Sequence, residues 1–80
     1  MLGMNLFEIT LDDVHRRQNA LAVILEQMDV PENTRDTSSR RNLNWLNRNL
    51  AVQNSNHPLF QTANDLVVWL CRWHNHNANA

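Results

Sequence analysis

Apolar residues recur along this 80-residue chain at spacings of three, four and seven, which is the period of an α-helix. The first apolar stripe begins after Thr10, which can cap a helix together with Asp13 three residues later. It stops before Pro31, because proline disfavours helical geometry in the residue that precedes it. We therefore predict a first helix over about residues 11–29. The apolar stripe of this helix consists of Leu11, Val14, Leu21, Leu25 and Met28.

Two further helical segments follow a polar connector, residues 31–39, which has nothing apolar to bury and which we expect to be mobile. A serine or threonine at the end of the connector can cap a second helix, predicted over about 39–54. Pro58 suits the first position of a third helix, predicted over about 58–74. The rival interpretation is a β-strand at 66–73, since valine and tryptophan favour strands, but the helical spacing before it favours a helix.

These elements predict an all-α fold, a small three-helix bundle with the third helix as its central rod. We treat residues 1–80 as a single helical domain. The apolar lead-in, residues 1–9, is expected to pack on the bundle, and the polar residues 75–80 are expected to form a frayed tail. A helix-turn-helix is the alternative architecture, but the third helix is too apolar and too poor in arginine to read base edges in a groove.

The charge and the amino-acid composition of the chain exclude several classes of function. The formal net charge of −1 argues against a domain built for bulk phosphate binding, and the single glycine excludes a glycine-rich phosphate loop. All seven basic residues are arginine, which suits planar, bidentate contacts, although lineage-specific codon usage is the favoured explanation of this bias. One cysteine allows no internal disulfide, and there is neither a secretory leader nor an apolar run of membrane-spanning length. We expect a cytoplasmic protein that does not cross a membrane.

Side chains with catalytic or metal-binding chemistry are sparse. The chain has no Ser–His–Asp order, no nucleophile elbow and no paired carboxylates in a pocket-like context, so we predict no enzymatic activity. Cys71, His74 and His76 are spaced as C-x2-H-x-H, but a structural zinc site needs four ligands and nothing in the sequence places a fourth. We interpret them as a core cysteine and polar tail histidines, and we predict no metal site and no cofactor.

The second helix carries two contrasting faces. Its leucines occupy one narrow arc, whereas Trp45 lies about 200° round the helix from Leu43, at roughly 100° per residue. Arg41, Arg48 and Val52 fall on the same side as this tryptophan. This set is called the Arg/Trp face below, and it consists of Arg41, Trp45, Arg48 and Val52. Tryptophan and arginine are the residues most enriched in interface hot spots, so this face is the candidate binding surface.

Three interpretations of the Arg/Trp face remain open at this stage. The lead-in could fold over Trp45 and bury it, since a small chain needs every apolar residue for its core. A second protein could bind there. Single-stranded nucleic acid could stack on the tryptophan and place its phosphates on the arginines, although two or three arginines supply little electrostatic affinity.

We predict a non-enzymatic protein–protein interaction module, a small regulator, inhibitor or assembly factor of the kind that phages and mobile elements encode. The alternatives are a small dimeric nucleic-acid-binding regulator and a structural homo-oligomer subunit. Val23 and Ile24 lie off the main stripe of the first helix and are the candidate dimer face. Burial under the third helix and the lead-in is the other explanation for these two residues.

Overall fold

The computed structural model describes residues 10–78, which contain three α-helices and no β-strand. The helices are α1 (Leu11–Gln27), α2 (Arg40–Asn54) and α3 (Phe60–Ala78), and a short 3₁₀ turn (Glu32–Thr34) lies between α1 and α2. The predicted all-α three-helix bundle is therefore confirmed, and the ambiguous segment 66–73 is helical. The lead-in, residues 1–9, and its predicted packing on the bundle lie outside the described residues.

The core is built around α3, which packs against both α1 and α2. Each helix contributes side chains that are wholly withdrawn from solvent, and burial of such a side chain stabilises the fold by about 1.5–3 kcal/mol. Because the leucines of α2 all enter this core, the opposite side of α2 is directed outward. The largest fully buried side chains are Val14, Leu21, Leu25, Leu43, Leu46, Val67 and Leu70.

The start of α1 is fixed by a capping box, as the sequence predicts. The Asp13 backbone N–H donates to Thr10 Oγ1 at 3.3 Å, and the Thr10 backbone N–H donates to Asp13 Oδ2 at 3.1 Å. The bond from the Thr10 backbone is the main reason why the pKa of Asp13 lies below its ordinary value, and Arg16 adds an ion pair. Two otherwise unpaired N–H groups are satisfied in this way at the helix end.

The end of α1 differs from the prediction, because the helix stops at Gln27 rather than near residue 29. The chain reverses at Asp29, whose φ of 57° lies in the left-handed region. The Asp29 N–H donates to the Glu26 carbonyl at 3.0 Å, and the Val30 N–H donates to the Leu25 carbonyl at 3.1 Å. This pair of bonds is a Schellman motif, with Asp29 at the position that glycine normally occupies.

Both ends of α3 also differ from the prediction. The helix begins at Phe60 rather than 58, and His57 caps it, because its Nδ1 accepts the Leu59 N–H and its carbonyl accepts the Phe60 N–H, both at 3.0 Å. The helix continues to Ala78, so residues 75–78 are helical where a frayed tail was expected. Neither glycine nor proline follows residue 74 to stop the helix. Residues 79–80 lie outside the described range.

The connector between α1 and α2, which we expected to be mobile, forms hydrogen bonds with both helices. Thr37 is buried, and its hydroxyl donates to the carbonyl of Gln18 in α1 at 3.0 Å. The Asn42 side-chain amide donates to the carbonyls of Thr34 and Asp36, at 2.6 and 3.0 Å. The connector is therefore held against both helices, and it forms a wall beside the first turns of α2.

Candidate functional site

The four residues of the Arg/Trp face are not equally exposed. Arg41 and Arg48 are exposed, and Val52 is the most exposed large apolar side chain in the described part of the chain, at 77%. Trp45 is half-buried and packs against the edge of the core. The indole therefore contacts the core, although helical geometry places Trp45 on the side of α2 away from the leucines. The face consists of a partly seated tryptophan between two free-standing arginines.

A groove of about 320 Å³ runs between the connector and the start of α2, with Trp45 as its apolar wall. It is called the connector groove below. Ser39 caps α2 by accepting the Asn42 N–H at 3.1 Å, and Asn42 in turn holds the connector carbonyls. These bonds set the position of the wall opposite the tryptophan. The lining residues are Asn33, Thr34, Asp36, Ser39, Arg41, Asn42 and Trp45.

A second groove, of about 330 Å³, adjoins the first and is lined by Arg40, Arg41, Asn44 and Arg48. It is called the arginine groove below. Arg41 lines both grooves, so the two adjoin at this side chain. Arg40 was missed at the sequence level, although a signal was present. Arg40, Asn44 and Arg48 are spaced by four residues, which places them in one row along a helix.

The arginine groove concentrates positive charge. The segment that forms α2 contains three arginines and no acidic residue, whereas the rest of the chain holds four arginines and all eight acidic residues. None of the three arginines forms an ion pair within residues 10–78. The N-terminal end of α2, where two of them lie, adds the positive end of the helix dipole. This surface is therefore strongly cationic on a chain whose net charge is slightly negative.

The connector groove carries charge of both signs. Asp36 and Arg41 line it together with Trp45, and the Ser38 hydroxyl and backbone N–H donate to the Asp36 carboxylate. These bonds, the hydroxyl first, hold the pKa of Asp36 below its ordinary value, so the group stays ionised near neutral pH. A ligand that follows both grooves therefore passes from three positive groups to one negative group beside an indole.

The candidate dimer face is divided by the fold. Val23 is 55% exposed, whereas Ile24 is half-buried and packs against the core. Of the two residues, Val23 is therefore the one that presents more of its side chain to solvent. The helix α1 also contacts α3 through Arg17, whose guanidinium carbon lies 4.1 Å from the centre of the Trp69 ring. This cation–π contact joins two elements of the bundle and was not anticipated from the sequence.

The three residues of the C-x2-H-x-H spacing have different surroundings. Cys71 is buried, and burial raises the pKa of its thiol. His74 is not a polar tail residue, because its Nε2 is buried and has no hydrogen-bond partner in the described chain. Burial, followed by the nearby charge of Arg40, lowers the pKa of His74. Between residues 10 and 78, no three His, Cys, Asp or Glu side chains are grouped so that they could hold a metal ion.

Comparisons with protein-family models, with curated proteins and with solved structures give no match for this chain. A search of the described helices for a segment long and apolar enough to cross a membrane finds none.

Proposed function

We propose that this protein is a non-enzymatic, cytoplasmic protein-binding module that acts as a small regulator, inhibitor or assembly factor. Its working surface is the Arg/Trp face of α2, extended by Arg40 and by the two grooves. The observation that carries this proposal is the juxtaposition of three arginines, unpaired within the described chain, with a half-buried tryptophan. The protein would act by occupying a surface of a larger partner.

The state of these side chains before binding supports a contact role. Trp45 is already partly seated against the core, so little conformational freedom is lost when a partner covers it. The arginines form no ion pair within residues 10–78 that binding would have to break, so new bidentate contacts to a partner replace only contacts with water. A surface that is pre-organised and unpaired in this way favours binding over a purely structural role.

The lining of the grooves supports a non-enzymatic role. Ser39 is the one hydroxyl in the connector groove that lies on the α2 side, and its oxygen is used to cap the helix. Neither groove is lined by a histidine or a cysteine that could serve as a base or a nucleophile. We propose that the grooves serve recognition.

The second candidate is a small dimeric nucleic-acid-binding regulator. The same arginines favour it, because they flank an indole on which a base could stack. Asp36 weighs against it, because an ionised carboxylate in the same groove as Trp45 would repel a phosphate backbone that follows the grooves. A third candidate, a structural homo-oligomer subunit, has less support, because Ile24, one of the two residues of the candidate dimer face, is half-buried against the core.

Affinity capture from nuclease-treated lysate tests the proposed function. The wild-type chain is compared with Arg48→Glu and with Arg72→Glu, which makes the same charge change at an exposed position on α3. Circular dichroism first establishes that both variants fold. We expect the wild type and Arg72→Glu to retain one protein in stoichiometric amount, and Arg48→Glu to lose it.

Two results would contradict this proposal. Equal capture by all three proteins would mean that the working surface lies elsewhere on the chain. Material retained only when nuclease is omitted would replace the proposal with the nucleic-acid-binding candidate.

A further inference from the structure

We propose that the partner presents an acidic peptide segment whose carboxylates pair with the arginine groove and whose neighbouring apolar side chain packs on Trp45 in the connector groove. This inference rests on the proposed function and names the chemistry of the partner. The inference depends on Arg40 and on the two adjoining grooves, which are not part of the Arg/Trp face.

The need for negative charge follows from the composition of α2. Three arginines line one groove on α2, two at the N-terminal end of the helix and the third two turns further along, and α2 contains no carboxylate that could neutralise them. A partner that covered them with apolar atoms would leave buried charges unpaired, which is strongly unfavourable. Carboxylates meet the planar guanidinium in a bidentate arrangement, which also fixes the orientation of the partner.

The distance between the first and last arginines of α2 determines how long the partner segment must be. Arg40 and Arg48 are eight residues apart, which corresponds to about 12 Å along the helix axis at a rise of 1.5 Å per residue. An extended chain rises about 3.3 Å per residue, so carboxylates about four residues apart span the same length. A short linear motif is therefore long enough to engage both ends of the arginine groove.

The connector groove distinguishes a peptide from a nucleic acid. A polynucleotide carries a phosphate at every step, and its backbone would pass close to the ionised Asp36 when a base stacks on Trp45. A peptide can place its carboxylates on the arginines and a neutral side chain opposite Asp36. The arginines together with the single carboxylate of Asp36 in the groove of Trp45 therefore match a segment with acidic residues next to an aromatic or long aliphatic residue.

A ¹⁵N-resolved NMR titration tests this inference on the full chain. The probes are an acidic synthetic peptide that contains one phenylalanine, the same peptide with serine for phenylalanine, a lysine-rich analogue and a single-stranded oligothymidylate. The readouts are the arginine side-chain Nε signals and the indole N–H signals. The indole signal of Trp45 is assigned by its disappearance in Trp45→Phe.

We expect the acidic phenylalanine peptide to shift the signals of Arg40, Arg41, Arg48 and Trp45 in a saturable manner, and to leave those of Trp69 and Trp73 in place. The serine peptide should bind roughly tenfold more weakly, as should the phenylalanine peptide to Arg48→Glu, because each change removes a central contact. Arg72→Glu is the matched control and should bind as the wild type does.

The outcomes separate this inference from the proposed function. If the acidic peptides give no saturable shift at about 1 mM, a concentration that detects contacts of only about 4 kcal/mol, the inferred partner chemistry is wrong. The proposed function would then still stand if capture from lysate depends on Arg48. Saturable shifts with the oligothymidylate and not with the peptide would overturn both. Self-association of the chain alone, measured by sedimentation, would identify a second copy as the occupant and overturn the inference.

Discussion

The left-handed residue that ends α1 allows a quantitative test of the backbone geometry. Asp29 has a φ of 57° and occupies the position after the C-cap, where a Cβ atom is crowded. It also places a carboxylate at the negative end of the helix dipole. Both effects oppose folding, so we predict that Asp29→Gly stabilises the protein.

The magnitude can be divided between two causes. Removing a charge from a helix end is worth about 0.3–1 kcal/mol, and Asp29→Asn measures this part alone because asparagine tolerates the left-handed region. Relief of the crowded Cβ is worth about 1–2 kcal/mol, less about 0.5–1 kcal/mol for the greater freedom of glycine in the unfolded chain. We expect Asp29→Gly to gain about 1 kcal/mol in total.

The assay is urea unfolding followed by circular dichroism, supported by thermal melts, in which 1 kcal/mol corresponds to about 4–8 °C for a domain of this size. Asp29→Ala also removes the charge but keeps a Cβ, so the difference between the glycine and alanine variants isolates the backbone effect. We expect glycine to be more stable than alanine by about 1 kcal/mol. Equal stability of these two variants would refute the left-handed assignment at Asp29.

Three further predictions concern single side chains. Thr37→Val should lower the free energy of unfolding by about 0.5–1.5 kcal/mol, because it removes the bond to the Gln18 carbonyl, whereas Thr37→Ser, which keeps the hydroxyl, should lose less of it. His57→Ala should cost about 0.5–2 kcal/mol in urea unfolding through loss of the α3 cap, and His57→Asp should restore it. Folding lowers the pKa of His74, so the unfolded state binds a proton at a higher pH than the folded state does. The free energy of unfolding should therefore decrease as the pH falls from about 6.5 to the pKa of the folded state. His74→Gln should flatten this part of the stability profile.

Each of these has an outcome that would contradict it. Thr37→Val and Thr37→Ser of equal stability would show that the hydroxyl contributes nothing. His57→Asp no better than His57→Ala would remove the capping role. A stability profile that is unchanged by His74→Gln between neutral pH and the range where carboxylates titrate would assign the pH dependence to other groups.

Features of the fold that depend on neighbours in sequence could be predicted. The cap formed by Thr10 and Asp13 spans one helical turn, and the buried arc that begins at Leu43 follows from periodicity alone. The ends of the helices were harder to predict. The left-handed conformation of Asp29 has no strong sequence signature, because glycine is the usual residue there. The helix α3 extends to Ala78 because no glycine or proline stops it. The polar composition of the last residues favoured the prediction of a frayed tail instead.

The candidate site was predicted in part, for a related reason. Helical geometry places Arg41, Trp45 and Arg48 on one side of α2 without any knowledge of the fold. The half-burial of Trp45 and the groove beside it depend on the path of the connector, which Asn42 holds through contacts that periodicity does not encode. The burial of the His74 ring nitrogen likewise depends on how α3 meets its neighbours, and a residue's place in a polar segment does not reveal it.

The central position of α3 has a consequence for the time course of folding. α2 and α3 are adjacent in sequence and pack together, whereas α1 reaches α3 only after the connector and α2 have closed a longer loop. Contacts between near neighbours form first in small helical proteins, so we expect α2 and α3 to dock early and α1 to join late. Truncation of Leu46 should then slow folding, and truncation of Leu21 should mainly speed unfolding, which chevron analysis of the two alanine variants would measure. If Leu21→Ala slowed folding as much as Leu46→Ala, α1 would belong to the folding nucleus.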